Sequence, residues 1–536
     1  MDFTFGTFAT DQLKLVHHRA TKYGIYHGYL MSPRDPAAGE SVTLTAYTGV
    51  GISASQVACY YTMDGSLPTG SKGIAQNGQV IYFDQVDITW DTITWGYVTR
   101  WQAMIPPQPE GTQVRYRIGA WTGEGAEAFA DYPEVNATAE RAADAFFRGL
   151  PVPEMLFGEP VHTKSFNYYV DNMQPPQWAY DAVIYQVFVD RFYPGDGKSW
   201  NENVQSLSDF YGGTLWGVRD KLDYIADLGA TCIWLSPTWV SPSHHGYDIT
   251  DFEHVEPRLG GDEALRALVE AAHQRGIRVL LDMVCNHLAF DHPYFQEARN
   301  DPNSPYREWF TFDGSDIGYR TYFGVASMPE INTENPAARR WLIETAQYWL
   351  REFDVDGYRL DHANGPGAGF WSDFVHGCKQ IKPDCFCFGE IVDEPSVMLA
   401  FVGRLDGCID FHLSDALRLT YGRKVWSEAD LERFLDRHRQ YFPANFLMPT
   451  FLDNHDMDRF LYIANGDKDA LRRAAAVQMK LPAPPVIYYG TEIGITQRKG
   501  KNDGWGLEVS REPMPWGDTQ DQDLLNYYKM LIRQRR

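Results

Sequence analysis

Between Val183 and Gly490 the chain repeats one pattern eight times: a short apolar run, then a segment with apolar residues at helical spacing. The runs are VIYQVFV (183–189), TCIWLSP (231–237), IRVLLDMV (277–284), VDGYRL (355–360), CFCFGE (385–390), GCIDFHL (407–413), FLMPTFLD (446–453) and PVIYYG (485–490). Apolar runs without alternation are expected of parallel strands covered on both faces. Between them, KLDYIADLG carries Gly229 where a helix should end. GDEALRALVEAAHQRG offers Asp262 as a cap and Gly276 as a terminator. Eight such units predict a (β/α)8 TIM barrel over residues 179–536, with one insertion after strand 3 at 287–335. A doubly wound open sheet needs no eighth repeat and usually carries a glycine-rich phosphate loop, which this chain lacks.

Residues 1–145 read differently. SVTLTAY, QVACYYTM and QVRYRIGAW alternate with period two and are separated by turn signals such as Asp64-Gly65 and Pro109-Glu110-Gly111. That pattern predicts an all-β, immunoglobulin-like sandwich. Residues 146–178, with Pro151, Pro153, Pro160, Pro175 and Pro176, read as a linker.

Composition narrows the partners. Hydrophobic residues at 44% and charged residues at 22% describe a soluble globular chain. A net charge of −23 argues against nucleic acid and against anionic membrane surfaces. No window approaches 18 apolar residues, and MDFTFGTFATDQLKL lacks the basic-then-apolar order of a secretory signal. Seven cysteines without C-x-x-C spacing point to a reduced, cytoplasmic setting, with Cys385 and Cys387 as small buried residues of one strand face.

In a (β/α)8 barrel the chemistry gathers at the carboxyl ends of the strands. Here that rim receives Asp282, Asn286 and His287 from strand 3, Arg359 and Asp361 from strand 4, and Glu390 from strand 5. His455 and Asp456 follow strand 7, and His245 and Tyr247 lie after strand 2. Taken singly, a strand-end Asp more often caps a helix and a His more often satisfies a hydrogen bond. Together they form D-x-x-x-N-H, G-x-R-x-D, G-E and D-N-H-D, which independent caps would not require. Two carboxylates flanking a bond can hydrolyse a glycosidic linkage with retention, one attacking and the other protonating the leaving oxygen. Residues two apart on a strand share a face, so Arg359 can hold Asp361 ionised as the nucleophile. Glu390, after an apolar run, fits the acid that keeps its proton. Asp456 and the histidines can bind sugar hydroxyls as the ring flattens.

DMVCNH, GYRLDHA, FGEI and FLDNHD resemble the four short signatures of the α-amylase family, retaining α-glucan enzymes; HHGYDITDF, YYGTEIG and EPMPW are similar to further family segments. The resemblance covers residues 180–536 in the family's order. It implies Asp361 as nucleophile, Glu390 as acid/base and Asp456 as transition-state stabiliser, with Arg359, His287, His455 and Tyr247 around the sugar at the cleaved bond; His245 and Asp282 complete the expected substrate site. MPEIN (328–332) resembles a fingerprint of the neopullulanase, cyclomaltodextrinase and maltogenic amylase branch, although Ile331, Gly365 and Val392 depart from that branch. The implied activity is hydrolysis of α-1,4 bonds in starch-derived malto-oligosaccharides or cyclodextrins, without a required cofactor. A 4-α-glucanotransferase using the same intermediate is the alternative, and a non-catalytic glucan-binding or scaffold protein a remote one.

In that branch the sandwich can cover a partner's active site, which implies a homodimer through the N-terminal domain; a rigid packing module is the other reading. Relatives often hold structural calcium near the residue matching Asn286. The insertion offers Asp291, Asp301, Asp313 and Asp316 but no D-x-D-x-D loop, so no metal ligand is assigned. DLLNYYKMLIRQRR reads as the eighth barrel helix, and no C-terminal β-domain is apparent after it.

Overall fold

The computed structural model describes residues 9–52, 54–123, 125–152 and 164–535; Pro153 and Pro160 of the expected linker lie outside them. Its centre is a parallel sheet. β1 (Ile184–Val187), β2 (Cys232–Leu235), β3 (Arg278–Val284), β4 (Gly357–Asp361), β5 (Phe386–Gly389) and β6 (Gly407–Cys408) pair in sequence, and β7 (Val486–Tyr488) joins β1 on its other side. The gap between β6 and β7 is closed by residues 447–450, which bridge Gly407 through Leu447 and Pro485 through Thr450. Their amides bond both edges: Leu447 to the Asp406 carbonyl at 2.9 Å and Thr450 to the Pro484 carbonyl at 2.8 Å. Pro449, which has no N–H to give, interrupts the ladder and leaves this seventh position as bridges rather than a regular strand. The barrel is therefore closed as expected.

Local expectations hold in part. Gly229 ends helix Leu222–Leu228 in the left-handed conformation, φ 98°. Asp262, by contrast, lies inside the first turn of helix Gly261–His273 and accepts the Val255 amide at 2.8 Å; Gly260 occupies the cap position. GCIDFHL is a strand only at Gly407–Cys408, and a helix starts at Phe411, capped by Asp410. All seven cysteines are free and buried.

The N-terminal unit is a sandwich of two antiparallel sheets. One runs 25–26, 42–48, 96–105, 84–91, and the other 128–129, 112–121, 56–62, 79–82. Val42, Leu44 and Ala46 point inward from one sheet, and Val114, Tyr116 and Ile118 from the other. Residues 146–178 are not linker throughout, because Phe166–Val170 pairs with 112–121 as a further strand. Its outward residues dock the sandwich on the barrel: Asn167 and Tyr169 donate to Asp373 Oδ1 at 2.8 and 3.1 Å, while Arg339 and Arg115 donate to Oδ2 at 2.7 and 3.2 Å.

Two helices accompany the sandwich, α1 (Asp11–Tyr23), capped by Thr10, and α2 (Val135–Phe147). Leu13 and Val16 of α1 cluster with Ala142 and Ala143 of α2 and with Phe323 of the insertion, so both helices pack beside the barrel rim. Among the described residues no helix is long and apolar enough to cross a membrane.

Candidate active site

Arg359 organises the rim. On β4 its guanidinium is 1% exposed, and a cation so deep in protein must be paired. NH1 donates to Asp282 Oδ1 at 2.6 Å and to Asp361 Oδ1 at 2.8 Å, and NH2 lies 2.9 Å from Glu390 Oε1. Three strands thus deliver three carboxylates to one cation. The alternation on β4 puts Arg359 and Asp361 on the same face, as the sequence predicts. The neighbouring strands supply the rest: Asp282 stands opposite Arg359 across the β3–β4 ladder, and Glu390 follows directly on β5.

Sharing the cation changes the expected electrostatics. Burial pushes the Asp361 carboxyl up to about 6; Arg359 pulls it down, but nearby Glu390 adds to the rise. Divided among three anions, Arg359 offsets only part of the desolvation. Burial also raises the Glu390 carboxyl, which suits a group that must hold a proton. Burial works against the charge of Asp456 too, yet His455, Arg511 and Arg359 outweigh it and hold that carboxyl below its ordinary value.

Asp282 accepts from three donors: Arg359, the Tyr247 hydroxyl at 3.0 Å and the Trp234 indole at 3.0 Å. At 1% exposure it anchors Arg359 and Tyr247 from beneath rather than facing the open rim. Tyr247 is also hydrogen-bonded to His455 Nε2, and the two rings stack at 5.5 Å with planes 6° apart. Gln186 of β1 fixes the other nitrogen, Nδ1, of His455 at 2.8 Å. His245 stacks on Tyr247 at 5.9 Å and meets Ser243 Oγ at 3.0 Å. His287 Nε2 lies 3.1 Å from the Tyr247 carbonyl. Burial drops the imidazoles to about 3 for His287 and His455 and about 4 for His245, so all three are neutral hydrogen-bonding groups near pH 7. Asp456 closes the ring, with Arg511 NH2 at 3.0 Å and His455 Nε2 at 3.1 Å.

The nine residues expected at the substrate site therefore meet in one connected network. Others join them. Arg511, just before EPMPW, pairs with Asp456 and donates through Nε to the His455 carbonyl at 2.8 Å. Tyr322, from the insertion, lies between His287 and His362, its ring 4.9 and 5.0 Å from theirs. His362 adopts φ 39°, uncommon for a residue with a side chain, and this turn aims its N–H at Glu390 Oε2, 3.2 Å away. Its ring reaches Glu140 of α2 at 3.5 Å, so the N-terminal unit touches the catalytic rim.

The departure at Gly365 also has a place. A Cβ at Gly365 would lie 1.8 Å from Asn286 Oδ1, so a side chain there would have to displace the Asn286 amide. The insertion carboxylates do not converge on Asn286. Asp301 and Asp313 accept amides of their own turns, from Asn303 and Ser315, and Asp316 pairs with Arg148.

The profile of the α-amylase catalytic domain matches residues 186–529. The chain belongs to the α-amylase family. Among curated relatives, alpha-amylase 2 of Dictyoglomus thermophilum is 41% identical over 370 residues, 68% of this chain and 65% of that protein. The intracellular maltogenic amylase of Bacillus subtilis is 34% identical over 385 residues, 69% of this chain and 64% of that protein. The match thus spans just under two thirds of these relatives' length. A solved structure of a cyclomaltodextrinase, 26% identical, covers 96% of this chain and 84% of its own with a TM-score of 0.63, so its likeness extends over the N-terminal unit as well as the α-amylase barrel.

Proposed function

We propose that this α-amylase family protein hydrolyses α-1,4-glucosidic bonds of malto-oligosaccharides or cyclodextrins, with retention, through a covalent glycosyl-enzyme intermediate. The observation that carries the reading is the single guanidinium of Arg359 held between Asp361 and Glu390, with Asp456 at the same rim. Asp361, ionised above pH about 6, attacks the anomeric carbon. Glu390, its carboxyl raised by burial, gives its proton to the departing oxygen and then takes one from the incoming water. Asp456, kept ionised, binds sugar hydroxyls, and its negative charge lies near the positive charge that builds on the ring. Neutral His287 and His455 and the hydroxyl of Tyr247 supply directional hydrogen bonds without adding charge. The names of the relatives, an amylase, a maltogenic amylase and a cyclomaltodextrinase, support this substrate class, and the intracellular relative supports a site of action inside the cell.

The test is product analysis on maltoheptaose, a cyclodextrin, pullulan and soluble starch, with the anomeric form followed by NMR. Retained α-anomers are expected, and Asp361→Asn should lose at least about 10³-fold in kcat. Inverted products, or full activity in Asp361→Asn, would sink the mechanism. Products longer than the substrate would assign the transferase alternative.

A further inference from the structure

The turn after Asp361 is held in a costly conformation. His362 sits at φ 39°, a region that residues with side chains rarely occupy, so neighbouring groups must keep it there. What the turn secures is the Glu390 carboxyl. The Glu390 amide donates to the Leu360 carbonyl at 2.8 Å, the Ala363 amide to the Glu390 carbonyl at 2.9 Å, and the His362 amide to Glu390 Oε2 at 3.2 Å. With Arg359 on Oε1, both oxygens of that carboxyl are engaged and its plane is fixed. We propose that Glu140 of α2 is a positioning residue for Glu390: it anchors the His362 ring, and through that ring the turn that aims the His362 amide at the carboxyl, so the N-terminal unit takes part in catalysis by the barrel. The inference rests on the glucan-hydrolase reading above.

Three observations carry it. The first is contact. His362 Nε2 lies 3.5 Å from Glu140 Oε1, with both side chains largely withdrawn from solvent. Burial works against a charge on the ring, yet Glu140, Asp361 and Glu390 outweigh it and raise the imidazole above its ordinary value, so near pH 6 the contact is an ion pair. The second is confinement. The centroid of the His362 ring lies 5.0 Å from that of Tyr322 and 5.2 Å from that of Phe323, both edge-to-face, so the insertion flanks the ring while Glu140 holds its tip. The third is the face of α2 that does this. Glu140, Ala143 and Phe147 stand at helical spacing, so one stripe presents the carboxylate to His362 and apolar surface to Phe323. Ala143 clusters with Phe323, and the Phe147 ring lies 6.2 Å from it. The same helix therefore backs the insertion and reaches past it to the turn.

The leaving group separates acid positioning from a general loss of structure. In the first step an Asp361 oxygen bonds the anomeric carbon as the bond to the leaving oxygen breaks. A departing sugar takes the Glu390 proton, whereas 4-nitrophenolate leaves as a stable anion without it. The experiment measures kcat/KM, which reports the steps through glycosylation, for maltoheptaose and for 4-nitrophenyl α-maltoside, the latter read by nitrophenol release. Full-length wild type is compared with Glu140→Gln, His362→Asn and the double variant, each checked for an unchanged melting curve. Glutamine keeps the shape and helix preference of Glu140, and asparagine tolerates the left-handed turn. Each single variant should lower kcat/KM for maltoheptaose about tenfold and that for the nitrophenyl glycoside by less than about twofold. The double variant should lose no more than the worse single one, because Glu140 acts through His362. Either single variant carries the leaving-group comparison by itself if the other does not fold. Equal losses on both substrates, no loss on either, or losses that multiply in the double variant would overturn the proposal. Wild-type protein inactive on both substrates would instead refute the functional reading, and the positioning role with it.

Discussion

Replacing Asp282 by asparagine tests whether the Arg359 cluster works as the geometry says. All three partners of the Asp282 carboxylate are donors: Arg359, Tyr247 and Trp234. A carboxylate has acceptor sites for all of them, whereas an amide offers one oxygen and a donor NH2. With the amide oxygen turned to Arg359, the NH2 faces the indole N–H of Trp234, which cannot accept. With the amide reversed, the NH2 meets the guanidinium. Either way a buried donor loses its acceptor at about 1–3 kcal/mol, and the bond to Arg359 loses the strength that charge lent it, about 1 kcal/mol more. The expected destabilisation is about 3 kcal/mol, read as a lower urea midpoint by tryptophan fluorescence. A second effect follows from sharing. Asp282 and Asp361 meet the same NH1 at 2.6 and 2.8 Å. Carboxylates about 5 Å apart repel by about 3 kcal/mol at an effective dielectric of 20, equivalent to about two pK units. Burial, however, pushes the Asp282 carboxyl up to about 7, so at the acid limb of the kcat/KM profile it is already largely protonated and lends Asp361 little repulsion; the substitution should move that limb by less than about one unit. A midpoint unchanged within about 0.5 kcal/mol at pH about 8.5, where the Asp282 carboxyl is ionised, would refute the donor accounting.

Two further outcomes are expected. Under the proposed mechanism, wild-type kcat/KM should fall as pH drops through about 6, because burial raises Asp361 and the proposed nucleophile must be ionised, and it should fall again at higher pH as Glu390, the proposed acid, loses its proton; a flat acid limb down to pH about 4 would refute that assignment. Gly365→Ala, which drives a Cβ to 1.8 Å from Asn286 Oδ1, should cost about 1–3 kcal/mol and lower the melting temperature, and a variant as stable as wild type would show that the loop after β4 relaxes freely.

The barrel was legible because its strands are buried on both faces and its helices on one, which writes two different periods into the chain. What escaped was local. Pro449 lies inside a run that otherwise reads as strand seven, and its missing N–H turns a ladder into bridges. In GCIDFHL an acidic residue amid apolar ones looked like strand, yet Asp410 caps the helix that begins at Phe411. The strand at 166–170 was hidden in a proline-rich stretch because five residues are too few to stand out, although Phe166, Tyr168 and Val170 alternate toward the sandwich core. Propensity sees such segments only after a neighbouring strand gives them a partner.

The site divides along the same line. The polar groups at the strand ends could be singled out, because Asp361, Glu390 and Asp456 stand where apolar runs stop and no cap or turn explains them all. Residues that serve those groups from within strands could not, because their types belong equally to a core. Trp234 and Gln186 are examples: each is buried in β2 or β1, and only the acceptor found for each polar tip, Asp282 for one and His455 for the other, separates them from filler. A buried indole N–H or amide must have a partner somewhere. In a barrel whose inward face leads to a charged rim, that requirement is itself a signal that could have placed both beside the site. Glu140 shows where such reasoning stops. It lies on α2 of the N-terminal unit, and its contact with His362 depends on how the sandwich docks through Asp373, a relation between distant parts of the chain that no local pattern encodes.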